Sequence, residues 1–283
     1  MTRAVRTTDS TRRFPGGVHS PLSVAALSRR DRLLISTCIA LITALAWAYL
    51  VSLGRQMSSS IEHDTMMAAM GMTMNLPWTV ADGFFTFAMW AVMMVGMMAG
   101  AAAPVLLLFG AALAKRGAGG VPRAVLMFGL GYVTVWVGFS ACAALAQWAL
   151  HRAAMLSPAM AASSPRLAGA ILIAAGAYQL TPLKGACLTH CRSPLGFLMT
   201  NWRDGTMGAL RMGVGHGVYC LGCCWALMSV LFVVGVMNLV WVAALTVFVL
   251  AEKIAPAGAV VARVAGAMMI VVGVLFVAGA GVR

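Results

Sequence analysis

The sequence predicts an all-α fold, a polytopic transmembrane bundle of about seven helices with its N-terminus inside, and three observations carry that reading. Hydrophobic residues make up 61% of the 283 positions and charged residues only 10%, against about 25% charged in a soluble domain. Mean hydropathy is +0.91. Apolar runs long enough to cross a bilayer recur along the chain, and the Lys and Arg residues between them are unevenly shared.

In chain order, residues 1–32 carry seven arginines among Ser, Thr, Pro and Gly without an apolar period. They read as a disordered basic cytoplasmic tail. Ser28-Arg29-Arg30-Asp31-Arg32 resembles a twin-arginine export signal, but the run 33–53 after it spans a bilayer and lacks a small-residue cleavage site, so it reads as a retained first helix. Further runs lie at about 83–112, 124–150, 167–183, 212–236, 239–252 and 261–281. The segment 239–252 is near the lower limit of length, with Met237-Asn238 as its only loop, so a tight hairpin or a six-helix count is the alternative.

With the N-terminus inside, the cytoplasmic side holds 16 Lys and Arg and the outer side 4. That bias supports an N-in, C-out topology, which places the segment 184–211 in the cytoplasm and leaves the Met-rich loop 54–82 outside. Residues 33–283 form one transmembrane domain. The net charge of +13 sits in short connections and is not interleaved with aromatics, so it marks topology and no nucleic acid is expected. Neither a P-loop nor an H-E-x-x-H motif occurs, which disfavours an ATP-driven pump and a zinc protease. No catalytic residue is assigned. Gly96, Gly100, Gly213 and Gly217 are spaced for close helix packing.

Chemistry concentrates between Tyr178 and Met228, where five of the seven cysteines and two of the five histidines fall. Cys187 and Cys191 are four apart with His190 beside them; His216, Cys220, Cys223 and Cys224 follow spacings of four, three and four. Both groups are expected at or just inside the cytoplasmic boundary on consecutive helices, close enough to meet. Thiolates and imidazole suit Cu(I), with Zn(II) as the alternative. Cys38 and Cys142, standing alone, read as core filling.

Methionine is the second anomaly, with 22 residues. Met89, Met93 and Met97 form a stripe with Met94 and Met98 beside it, and Met66, Met67, Met70, Met72 and Met74 follow His63 and Asp64. Thioethers bind Cu(I) without deprotonation, though Met also fills irregular cores. The candidate metal ligands are therefore Cys187, Cys191, His216, Cys220, Cys223, Cys224, His190, Met89, Met93 and Met97.

The blocks MWAVMMVGMM at 89–98, AGAYQLTPLKGACLTHCRSP at 175–194, GHGVYCLGCCWALM at 215–228 and AEK at 251–253 resemble the bacterial DUF2182 family of predicted metal-binding integral membrane proteins, over about 80–255. The resemblance implies a multi-pass protein with a metal site and draws attention also to Trp90, Tyr178, Gln179, Pro182, Lys184, Arg192, Trp225, Glu252 and Lys253. Helix two departs from the family pattern in having Gly100 and three alanines before Pro104.

Two functions follow. One is transport, trafficking or delivery of a soft metal, most readily Cu(I), with the bilayer, the ion and a metallochaperone or metalloprotein acceptor as partners. The other is a membrane thiol–disulfide oxidoreductase, weakened because Cys220-Leu-Gly-Cys223 lies within a helix and not at its N-terminus. For the first, Lys184 and Arg192 are expected to offset the charge of the thiolates.

Overall fold

The computed structural model describes residues 26–70, 79–117, 119–157 and 160–279. The basic tail up to residue 25, Met72, Met74 and the side chains of His63 and Asp64 lie outside what is described. The described residues form ten helices and no strand: α1 (Arg29–Ala69), α2 (Val80–Lys115), α3 (Val121–Arg152), α4 (Pro165–Gln179), α5 (Pro182–Arg192), α6 (Pro194–Asn201), α7 (Gly205–Ser229), α8 (Leu231–Val234), α9 (Leu239–Ile254) and α10 (Gly258–Val277).

Helix starts follow local chemistry. Thr79 and Asp82 form a reciprocal capping box on α2, and Ser164, Thr181 and Asn238 cap α4, α5 and α9 through their side chains. Proline stands in the first turn of α3, α4, α5 and α6, where its missing N–H costs no bond. Pro182 is decisive, because its ring cannot continue α4 and a new helix begins there at 63° to the old one.

Five stretches are long and apolar enough to cross a membrane: Arg29–Ser60, Val80–Lys115, Val121–Arg152, Gly205–Val234 and Gly258–Val277. The bent pair α4 and α5 makes a sixth. The run at 239–252 is the 16-residue α9, entered through the tight turn at Gly235, whose φ is +95°. The stretch 54–69, expected as loop, continues α1 to Ala69. No Pro or paired Gly interrupts it, and Arg, Gln, Ser and Glu lower hydropathy without ending a helix. Met66 and Met70 are exposed there.

The most extensive interfaces join α3 to α7, α4 to α10, α2 to α3 and α1 to α2. Glycine makes the first two of them. A Cβ on Gly213 would strike the backbone of Phe128, and one on Gly131 the backbone of Leu210 and Val214. Gly169 and Gly176 meet Gly273 and Gly266 in the same way between α4 and α10. Such contacts bring backbones together where lipid offers no hydrophobic drive to association. A Cβ on Gly217 would meet the Val135 side chain and then the Tyr132 carbonyl oxygen, whereas one on Gly100 would have no described residue within 4 Å.

The core runs along α2 and α7, with Trp90, Met93, Met94, Met97, Met98, Cys220, Cys223 and Cys224 all at 1% exposure or less. Cys38 and Cys142 do not fill it; both are exposed on the outer faces of α1 and α3. Those helices are apolar on the outside as well, so an apolar neighbourhood in the sequence does not mark an inward side.

Candidate metal centre

Helix α5 lies along the middle of α7 because two cationic side chains fasten it to the end of α9. Lys184, 1% exposed, gives both of its 2.8 Å bonds to the carboxylate of Glu252. Gln179 completes the arrangement, donating to Glu252 at 3.1 Å and accepting from Lys184. At the other end of α5, Arg192 donates to the carbonyls of Glu252, Ala255 and Pro256 at 3.2, 2.7 and 3.2 Å. The Glu252 carbonyl lies in the last turn of α9 and those of Ala255 and Pro256 just past its end, so the guanidinium caps one helix while holding another. Tyr178 adds a 2.5 Å bond to the carbonyl of Gly222.

Between these fastenings the thiols meet. Cys191 Sγ is 3.8 Å from Cys223 Sγ, and Cys187 lies over Gly222, where a Cβ would come 2.7 Å from its sulfur. Cys223 and Cys224 donate to the Cys220 carbonyl at 3.0 and 2.8 Å. Cys220 Sγ is 2.9 Å from Tyr132 Oη and accepts from Lys253 Nζ, also at 2.9 Å. All seven cysteines are free. Cys220 stands near the middle of the apolar stretch Gly205–Val234 and not at its end.

His216 is 3% exposed on α7, one turn before Cys220, among the rings of Phe128, Tyr132 and Phe197. Among the described residues its buried Nδ1 has no hydrogen-bond partner, an orphan of the kind that calls for explanation. His190 stands apart, exposed and stacked on Tyr219 at 4.4 Å, with Nδ1 on the Ala186 carbonyl of its own helix. Met89, Met93 and Met97 lie in the α2 core, at 4% exposure or less. Met98, beside that stripe, is linked to the thiols through Tyr132, whose hydroxyl donates to the Met98 carbonyl at 3.3 Å and lies 2.9 Å from Cys220 Sγ.

The charge balance differs from expectation. Lys184 is matched by Glu252 and Arg192 by carbonyls, so neither offsets a thiolate; the cation on the thiols is Lys253, one residue beyond Glu252. Its place follows from long-range packing of α9. Lys253 was singled out only by the family resemblance, and Tyr132 escaped the sequence reading, although it adjoins Gly131, the residue at which α3 touches α7.

Among the described residues no three His, Cys, Asp or Glu side chains converge closely enough to hold an ion as they stand. What the chain offers is a pair of thiols from two helices, further thiols within a turn, and an unpartnered imidazole. Soft donors in low number suit Cu(I), whereas structural zinc asks for four ligands.

No curated protein and no solved structure matches the chain. A family model described as PpoB2, copper chaperone, matches residues 87–276. The match overlaps the stretch that resembles DUF2182 proteins, carries the name PpoB2 instead, and takes in the thiols of α5 and α7, the methionines of α2 and the α9 end that holds them. It covers well over half of the sequence, and the chain belongs to the PpoB2 copper chaperone family.

Proposed function

We propose that this protein holds Cu(I) inside a membrane-embedded helix bundle, between Cys191 and Cys223, and hands it to an acceptor protein. The observation that carries the reading is the 3.8 Å approach of those two sulfurs across the α5 and α7 interface, in a chain of a copper chaperone family. Cys187, Cys220, Cys224 and His216 serve as further ligands through which the ion is exchanged. Copper stays Cu(I) throughout, and thiol protons are released as it binds.

Copper analysis of protein extracted from membranes and kept reduced tests this. Cys191→Ser and Cys223→Ser are each expected to remove the tightest Cu(I) equivalent, with at least about a hundredfold loss of affinity for either, since a two-coordinate site cannot survive on one thiolate. Retention of that equivalent in either variant refutes the shared seat. Metal-free protein recovered with the two sulfurs joined as a disulfide would support thiol–disulfide exchange instead.

Lys253 gives the site its charge selectivity. Two thiolates and Cu(I) sum to minus one, which the ammonium brings to zero; Zn(II) in the same place leaves plus one. Unit charges about 5 Å apart in an effective dielectric of 20 interact by about 3 kcal/mol, so a second metal charge is disfavoured next to Lys253. Lys253→Met is expected to move the Cu(I) to Zn(II) affinity ratio toward zinc by at least about tenfold, or ~1.4 kcal/mol. Lys253→Arg should keep the ratio. Competition titrations with both metals measure it, and an unchanged ratio in Lys253→Met would remove Lys253 from the account.

A further inference from the structure

We infer that a second, thioether Cu(I) site, built by Met57, Met89 and Met160, lies at the opposite end of the bundle from the end where α9 closes on α5. It rests on the copper reading above and extends it to how the ion is collected. These three methionines come from α1, from α2 and from the segment joining α3 to α4. They line one cavity of about 270 Å³. Three of its eight described lining residues are Met, while Met is 22 of 283 in the whole chain, so the described lining is enriched severalfold over what core filling by a Met-rich sequence provides.

The third thioether is placed at some cost. Met160 has φ of +55°, a left-handed conformation that non-glycine residues adopt only where their surroundings impose it. Its N–H donates to the Ser157 carbonyl at 2.9 Å. Its sulfur accepts from Gln147 Nε2 at 3.0 Å, and Gln147 Oε1 accepts from Trp90 Nε1 at 2.7 Å. Gln147 is 1% exposed. A buried chain from Trp90, next to Met89, thus fixes the direction of the Met160 sulfur, and no other described residue donates to it.

The remaining lining favours a soft monovalent cation. Among the described residues Asp82 is the one carboxylate on the cavity; it is exposed and already accepts from Thr79 N and Oγ1 at 2.8 and 2.7 Å. It places a negative charge at the rim without offering the several oxygens that Mg(II) or Ca(II) needs. Thioethers bind Cu(I) while uncharged, so the ion keeps its full charge here and is drawn onward to thiolates. The way onward is marked by Met93 and Met97, which follow Met89 at one-turn intervals of about 6 Å on the buried face of α2. They end beside Met98, whose carbonyl shares Tyr132 with Cys220.

The test uses full-length protein in detergent with reduced copper and a Cu(I) chelator as competitor. In a background with all seven cysteines replaced by Ser, Cys187, Cys191, Cys220, Cys223 and Cys224 among them, one weaker equivalent of Cu(I) is expected to remain, with X-ray absorption showing sulfur neighbours that only thioethers can then supply. Adding Met57→Leu, Met89→Leu and Met160→Leu, which nearly conserve volume, should lower that affinity at least about tenfold. If the triple change impairs folding, Met57→Leu and Met160→Leu singly, at partly exposed residues, should each lower it about threefold. A background variant that binds no copper, or leucine variants that bind it unchanged, overturns the thioether site and leaves the thiol seat standing. A background variant that keeps the tightest equivalent overturns the thiol seat alone, and wild-type protein that takes up no copper overturns both.

Discussion

Glu252→Ala is expected to destabilise the bundle by about 3–5 kcal/mol, the usual result of removing one partner from a buried ion pair. Lys184 is 2% exposed in its side chain and Glu252 1%, so neither can turn to water when the other is lost. With the carboxylate gone, the ammonium keeps only the Gln179 amide oxygen, and neutralising or expelling it loosens α5 from α9. Copper affinity should fall with stability, because Cys187 and Cys191 ride on α5. The double replacement Lys184→Met with Glu252→Leu separates charge from shape. Apolar side chains of similar volume should restore most of the stability, as measured by thermal unfolding in detergent. If Glu252→Ala is neutral, the pair is no fastening, and the placing of α5 must rest on Arg192 and packing alone.

A second large effect is expected at Gly213. Its Cβ position lies 2.8 Å from the carbonyl carbon and 3.0 Å from the Cα of Phe128, with the carbonyl oxygen nearer still. Backbone cannot rotate away as a side-chain tip does, so Gly213→Ala must push α7 off α3. A cost at or above the usual ~1–3 kcal/mol of overpacking is expected, and Gly213→Leu should give no folded bundle. Gly129→Ala and Gly138→Ala on α3, where nothing lies within 4 Å, are the controls; they should be neutral or gain a few tenths of a kcal/mol from helix propensity. Stability would be read in detergent alongside helix content. Equal behaviour of Gly213→Ala and the controls would mean that the two helices do not pack through their backbones.

The helices were legible because a bilayer imposes one rule on every long span, and 33–53, 83–112, 124–150, 212–236 and 261–281 all obey it. The helix to Ala69 was not, since Gly54, Arg55 and the serines at 58–60 break apolarity without breaking a helix. Pro182 was legible as a boundary, but the 63° turn there depends on where α5 finds its partners. In the candidate centre, spacing brought Cys187, Cys191, Cys220 and Cys223 toward one place. It could not rank them, and the closest pair, Cys191 with Cys223, follows from how α5 lies across α7. Periodicity likewise put His190 beside the thiols, whereas stacking on Tyr219 turns it outward. Charge was misassigned to Lys184 and Arg192 because proximity in sequence was the only guide; Lys253, more than thirty residues beyond Cys220, became its neighbour through packing.

Glu252 and Lys253 are consecutive residues on α9, so their side chains leave the helix about 100° apart. One grips α5 through Lys184 and the other touches the Cys220 sulfur on α7. Turning α9 about its long axis to draw Lys253 closer to that sulfur would carry Glu252 off the ammonium it binds, and the reverse turn would relax the contact with sulfur. The angular setting of α9 therefore has a single value at which both contacts are made, and α9 works as an indexing pin between the two helices that carry the thiols.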